Sequence, residues 1–81
     1  MNSHIFKEIK EKIFLMKDVS EDKIFYESLF STLDFDSLDY VEMQIFIFGN
    51  YGVRIVDEFF SQQKIISIEQ LVNYVEENIK V

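Results

Sequence analysis

Apolar residues at helical spacing, in a chain without proline, constrain the fold more than any other feature. Near the N-terminus, Ile5, Ile9 and Ile13 recur every four residues, with Lys and Glu on the opposite face. This pattern predicts an amphipathic first helix over residues 3–17. No segment alternates between apolar and polar residues over a length that would indicate a sheet. The chain has no Pro and two Gly, so we expect helices joined by polar loops.

Two further long helices and one short helix complete the pattern. The second helix is predicted from Ser37 to about Tyr51, and Gly52 ends it in the left-handed conformation that glycine adopts without steric strain. A short third helix is expected around residues 56–61. The last helix follows Ser67, which has a Gln three positions later, as in a capping box. These lengths predict an all-α fold, an antiparallel four-helix bundle with three longer helices and one short third helix.

Length and charge limit the classes of function. The 81 residues suffice for one domain, predicted to span residues 1–81, with a single modest core. The net charge of −7 repels nucleic acid and anionic membranes and attracts basic protein surfaces. Charged residues interrupt the apolar N-terminal segment, so neither a signal peptide nor a membrane span is predicted. The absence of Cys excludes disulfides and thiolate metal sites, and we expect a cytoplasmic protein.

The second helix carries apolar residues on two opposite sides, more than one buried face requires. On a helical wheel, Met43, Phe46 and Ile47 form one side. The other side consists of four apolar residues: Leu38, Val41, Ile45 and Phe48. One side can pack in the core, but an apolar stripe left to water is unusual on a monomeric protein. The second side is therefore predicted to contact a partner protein or a second copy of the chain.

Ser37, at the predicted start of this helix, has two interpretations. Its hydroxyl can accept a hydrogen bond from the free backbone N–H groups, so helix physics alone makes it an N-cap. The same N–H groups and the helix dipole favour a phosphate group. A calcium loop counted from Asp34 fails, because Leu38 and Ile45 stand where oxygen ligands are needed. His4 is the sole imidazole, so neither a catalytic triad nor a metal site is predicted.

The run from Asp36 to Met43, Asp-Ser-Leu-Asp-Tyr-Val-Glu-Met, resembles the attachment motif of acyl carrier proteins, which reads Asp-Ser-Leu-x-x-Val-Glu-Leu. The resemblance covers about residues 25–80. It implies that a phosphopantetheinyl transferase attaches a 4'-phosphopantetheine arm from coenzyme A to Ser37, with Asp36 helping to orient the serine. The thiol of the arm would carry an acyl intermediate as a thioester. The protein would then be a carrier and not an enzyme.

The resemblance also implies partner enzymes. These would be acyl-loading ligases and acyl-transferring ketosynthases of a fatty-acid, polyketide or related specialised pathway. The expected contact residues are the apolar stripe and two carboxylates beside it: Leu38, Asp39, Val41, Glu42, Ile45 and Phe48. A monomer is favoured over a homodimer.

Three positions depart from the family pattern. Phe48 stands where many members have a carboxylate, which replaces charge with apolar contact and favours a dedicated pathway. Asp34 stands where a turn glycine is common. Phe46 stands where Ala is common, and its bulk is predicted to fill space that would shelter a long acyl chain. A short, aromatic or poorly sequestered cargo is the resulting expectation.

Other classes of protein remain open from the sequence. One is a helical interaction module that is never modified, with Ser37 serving only as a cap. Another is a peptidyl or aminoacyl carrier, which is disfavoured because the Gly-Gly pair common before the serine in that branch is absent here. An enzyme with acidic catalytic residues is disfavoured further, since no paired titratable groups accompany a recognisable pocket.

Overall fold

The structure is a computed structural model that describes residues 3–79. In that range four α-helices follow one another: α1 (Ser3–Met16), α2 (Ser37–Tyr51), α3 (Asp57–Ser61) and α4 (Ile68–Asn78). A 3₁₀ turn at Glu21–Lys23 lies between α1 and α2. The described residues form no strand, only an isolated antiparallel bridge between Leu29 and Ser67. The predicted all-α fold, with three longer helices and a short third one, is confirmed.

The core is formed by buried apolar side chains from α1, α2, α4 and the connections. Its members are Ile5, Ile9, Ile13, Ile24, Phe30, Leu33, Met43, Ile47, Val53, Ile55, Ile65, Ile68, Leu71, Val72 and Val75. The three isoleucines of α1 are all buried, so the four-residue spacing identified the inward face correctly. No helix in the described range is both long and apolar enough to cross a membrane.

The α1 segment and α2 run in opposite directions. Three side-chain pairs join them, and their order along α2 reverses their order along α1: Tyr51 with Glu8, Glu42 with Lys12, and Asp39 with Lys17. Tyr51 donates a hydrogen bond to the Glu8 carboxylate. Burial first, and the Glu8 carboxylate second, raise the pKa of the Tyr51 hydroxyl, so this donor keeps its proton at neutral pH.

The helix ends follow the local chemistry of the sequence. Gly52 ends α2 with φ of 68°, which confirms the predicted left-handed cap. At the start of α4, Ser67 accepts a hydrogen bond from the Gln70 backbone N–H at 3.2 Å. The Gln70 side chain accepts from the Ile66 N–H instead of returning to Ser67, so only half of the predicted capping box forms. The five-residue α3 begins after Val56 without a side-chain cap.

The two glycines provide a matched test of the backbone. A Cβ at Gly49 or at Gly52 would meet no atom within 4 Å, so only the conformation differs between them. Gly49→Ala, in the interior of α2, should raise the free energy of unfolding by about 0.5–1 kcal/mol. Gly52→Ala should lower it by about 1–2 kcal/mol, because its φ is left-handed. Urea denaturation of both variants measures the change in the free energy of unfolding. Changes of the same sign in the two variants would contradict the assignment of Gly52 as a left-handed cap.

Candidate functional site

The first turn of α2 is closed by two aspartates. The Asp39 backbone N–H donates to the Asp36 carboxylate at 2.9 Å, and the Asp36 backbone N–H donates to the Asp39 carboxylate at 3.0 Å. Asp36 is therefore the N-cap, and Ser37 is the first residue inside the helix. This corrects the helix-physics prediction that Ser37 caps α2. The spacing of the two aspartates is that of a capping box with Asp in place of Glu, a signal that was present in the sequence.

Ser37 is exposed at this helix start. Because the Asp36 carboxylate supplies the cap, the Ser37 side chain is not needed to complete the helix. The start of α2 therefore presents a hydroxyl to solvent next to backbone N–H groups and the positive end of the helix dipole.

Lys17, which follows α1, reaches this helix start. Its ammonium donates to the Asp39 carboxylate at 2.7 Å, and both side chains are largely covered. The hydrogen bond to Asp39 is the main cause that raises the pKa of Lys17. Burial alone would raise the pKa of Asp39, but the hydrogen bonds from Lys17 and the Asp36 backbone outweigh burial and lower it. Both groups are charged at neutral pH. Sequence reasoning missed Lys17, since a partner 22 positions away leaves no local signal.

The two carboxylates of α2 that are expected to contact a partner are both paired with lysines of the same chain. The Asp39 side chain is only 15% exposed and is engaged by Lys17, so it stabilises the start of α2, and its contact with a partner stays a prediction. Glu42 accepts from Lys12 at 2.9 Å but remains half exposed. Of the two carboxylates expected to contact a partner, only Glu42 is accessible, and it is already paired.

The apolar stripe of α2, formed by Leu38, Val41, Ile45 and Phe48, faces solvent. Leu38 and Ile45 are 76% and 68% exposed. On the opposite side Met43 and Ile47 are fully buried, so the two-sided pattern on the wheel is confirmed. At the end of the stripe, the guanidinium carbon of Arg54 lies 5.3 Å from the centre of the Phe48 ring.

A cavity of about 360 Å³ opens beside Ser37, between α2 and α3. Its walls are largely apolar and include three aromatic rings. The lining residues are Phe35, Asp36, Ser37, Tyr40, Val41, Gln44, Asp57, Phe60 and Ser61. Among the described residues no group of three or more His, Cys, Asp or Glu side chains is placed to hold a metal ion.

Phe46 does not line this cavity. Its ring lies toward α1, with the Lys12 ammonium 5.8 Å from the ring centre and the Tyr51 ring at 6.3 Å. Phe46 therefore does not narrow this cavity, and its effect on an acyl chain stays a prediction. The rings of Phe35, Tyr40 and Phe60 occupy that region instead.

Asp34, in the turn before α2, has φ of 62°. This left-handed conformation explains why a glycine suits the position, and Asp is among the residues that tolerate it. Asp34 therefore adopts the left-handed turn conformation even though it departs from the family pattern.

Together these features define a small helical bundle that presents a serine hydroxyl at a helix start. The chain is 32% identical over 78 residues to an acyl carrier protein of Petrotoga mobilis, and the aligned region covers 95% of this chain and 89% of that protein. It is 37% identical over 78 residues to an acyl carrier protein of Picosynechococcus sp., covering 95% of this chain and 94% of that protein. No protein-family profile matches the chain.

The chain belongs to the acyl carrier protein family. It is a carrier protein and not an enzyme. Members of the family carry phosphopantetheine in general and act together with biosynthetic enzymes.

The Lys17–Asp39 pair should make stability depend on pH at both extremes. The folded pKa of Asp39 lies below its unfolded value of about 3.9, so its contribution is complete above that pH and is lost as the pH falls through the folded pKa. The pKa of Lys17 is raised, so its contribution is complete below about pH 10.4 and is lost at higher pH.

Urea denaturation of wild type and Asp39→Asn across this range measures the effect. The difference in free energy of unfolding between them should be constant near neutral pH and shrink below about pH 4. Glu42→Gln, which removes the more exposed carboxylate of the other pair, serves as the control and should change stability little. A difference for Asp39→Asn that persists at about pH 2 would contradict the assignment.

Proposed function

We propose that this protein carries an acyl group as a thioester on a 4'-phosphopantetheine arm attached to Ser37, and delivers it to enzymes of a fatty-acid, polyketide or related specialised pathway. Membership of the acyl carrier protein family supports the carrier role. The observation that supports Ser37 as the attachment site is its exposure at the first position of α2, where Asp36 is the N-cap.

The residues around Ser37 fit a phosphodiester. The first turn of α2 offers backbone N–H groups and the positive end of its dipole, both of which would favour a phosphate attached to Ser37. The Lys17 ammonium neutralises Asp39 at 2.7 Å and also interacts with the charges of Asp36 and Asp34. Lys17 would therefore partly offset the repulsion between the negative charge of the phosphate and the three aspartates.

The arm, when bound, supplies a terminal thiol on a flexible tether, which raises the effective concentration of its cargo at a docked enzyme. The chain itself supplies position: Asp36 and Asp39 hold the helix start, and Ser37 offers the attachment oxygen. No group of the protein is required to perform acyl chemistry.

The apolar stripe of α2 is proposed to dock the transferase and the ligases and ketosynthases that load and remove the cargo. Leu38 and Val41 lie within one turn of Ser37 and would flank the arm. Ile45 and Phe48 extend the contact along the helix, and Glu42 adds one carboxylate. The net charge of −7 opposes self-association of two copies through the stripe, so we propose a monomer. We also propose that the protein is cytoplasmic.

Intact mass spectrometry tests the attachment. After incubation with coenzyme A, Mg²⁺ and a promiscuous phosphopantetheinyl transferase, the wild type should gain the mass of one arm. Ser37→Ala should gain none. Ser61→Ala is the matched control, because Ser61 is also exposed and lines the same cavity, and it should be modified like the wild type. If the wild type gains no mass, the carrier proposal is rejected and the unmodified helical interaction module is favoured instead.

The initial rate of the same transfer tests the docking surface. Ile45→Ala should lower kcat/KM roughly tenfold, since it removes most of an aliphatic side chain from the interface. Glu42→Gln should change it by less than about twofold, because an exposed carboxylate already paired with Lys12 contributes little. A larger loss of kcat/KM for Glu42→Gln than for Ile45→Ala would show that docking is mainly electrostatic.

A further inference from the structure

The apolar stripe of α2 ends beside a cation. Two of its residues, Ile45 and Phe48, continue into an open groove between the second half of α2 and the start of α3, here called the Arg54 groove. Val56 adds a further apolar side chain to the groove, and Arg54 adds a guanidinium. Ile45, Phe48 and Val56 are all exposed. The groove is therefore an apolar surface with a positive charge beside it.

Arg54 is held by an aromatic ring and not by a carboxylate. The carbon of its guanidinium lies 5.3 Å from the centre of the Phe48 ring, which is close enough for a cation–π attraction. Arg54 belongs to none of the ion pairs formed within residues 3–79, although Asp57 and Glu58 line the same groove. Asp57 accepts a hydrogen bond from the Gln44 side chain at 2.8 Å instead. The ring thus restricts the guanidinium, and its N–H donors have no carboxylate partner in this part of the chain.

A guanidinium in this state suits a carboxylate from another protein. Its N–H donors form a fixed fork that matches the two oxygens of a carboxylate. Because Phe48 already limits the motion of Arg54, less side-chain entropy is lost when a carboxylate binds. Arg and aromatic residues are also among those that contribute most to binding at protein interfaces. A Lys or Arg of a partner would be repelled at the same place, even though the net charge of −7 attracts basic surfaces from a distance.

The carboxylates on the α3 side of the groove decide how an acidic group can enter. Asp57 and Glu58 outnumber the single guanidinium of Arg54, so the groove carries a negative formal charge. A free anion such as phosphate is therefore not concentrated there. A carboxylate on a protein that also covers the apolar wall can be held close to Arg54 and away from Asp57 and Glu58. The groove thus suits an acidic side chain that a docked protein presents.

We propose that Arg54, held by Phe48, binds a carboxylate of the partner enzyme and so selects enzymes that present an Asp or Glu beside an apolar docking surface. Most of the contact stays apolar, and the charged contact at its end fixes the register of the partner along α2. Enzymes that place a Lys or Arg at this point are disfavoured. The inference rests on the proposed function, since it concerns the enzymes that dock on the stripe.

Photo-crosslinking tests whether Arg54 lies in the contact. The chain contains no Cys, so Arg54→Cys and Ile45→Cys each offer a single thiol for a benzophenone maleimide. Each is combined with Ser37→Ala, which lets a phosphopantetheinyl transferase bind with coenzyme A and Mg²⁺ but not transfer the arm. Irradiation should crosslink both positions to the transferase, and mass spectrometry identifies the transferase residue next to position 54. Crosslinks from position 45 without any from position 54 would overturn the proposal.

A double-mutant cycle tests which sign of charge Arg54 prefers. The transferase residue next to position 54 is replaced by Glu in one variant of the enzyme and by Lys in another. For the wild-type protein, kcat/KM of transfer should be roughly fivefold higher with the Glu enzyme than with the Lys enzyme, as expected for an ion pair partly removed from water. Arg54→Glu should reverse this order, and Arg54→Gln should abolish the difference. Equal rates with both enzymes for the wild type, or a preference for the Lys enzyme, would overturn the proposal.

Lys64→Glu is the matched control. Lys64 is also an exposed cation, but it lines a different pocket, beside Tyr74 of α4. The substitution changes the net charge by the same amount as Arg54→Glu. A long-range effect of net charge would alter the preference between the two enzymes equally in both variants. Lys64→Glu should therefore keep the preference of the wild type, and the same reversal in both variants would reject a contact at Arg54.

The inference and the proposed function fail in different ways. If the wild type takes no arm, the carrier function is rejected and this inference with it. If crosslinks form from neither position, the docking surface on α2 is rejected together with the role of Arg54. If the arm is attached and the cycle shows no coupling at Arg54, only this inference is rejected.

Discussion

One carboxylate oxygen organises the functional end of the molecule. The Oδ2 atom of Asp39 accepts from the Lys17 ammonium and from the Asp36 backbone N–H. The first contact fixes the start of α2 to the segment that leaves α1, and the second completes the cap. Because α2 is anchored at this point, its rotation is set, and the same rotation that buries Met43 exposes Leu38. The accessibility of Ser37 and the outward direction of the stripe both depend on it.

The sequence predicted the features that local rules determine. The isoleucine spacing of α1 and the glycine at the end of α2 are read from neighbours a few positions away, and both are confirmed. Helix physics alone placed the N-cap at Ser37 because Asp36 and Ser37 are adjacent residues with similar capping ability. The spacing of Asp36 and Asp39, which identifies Asp36 as the cap, was present in the sequence and was overlooked. Phe46 shows a different limit of sequence reasoning. A wheel separates inward from outward, but it cannot tell which neighbouring helix an inward side chain will meet, and the Phe46 ring lies toward Lys12 of α1.

Charge on this protein acts at two different ranges. The net charge of −7 produces a field that extends about a Debye length, near 8–10 Å at physiological salt, and attracts basic surfaces from solution. At contact distance, Asp39 and Glu42 are already bound to lysines of the same chain. Attraction from solution and the proposed docking would thus involve different residues, since the stripe proposed to meet a partner is apolar. Recognition of this kind depends on the shape of the partner more than on its charge.

The smallest helix, α3, forms one side of the cavity beside Ser37. With five residues and no side-chain cap, α3 has little intrinsic stability of its own, and it contributes no fully buried side chain. Segments of this kind open locally at a fraction of the free energy needed for global unfolding. The side of the cavity formed by α3 should therefore open more readily than the side formed by α2, whose start is held by the pair of Asp39 and Lys17.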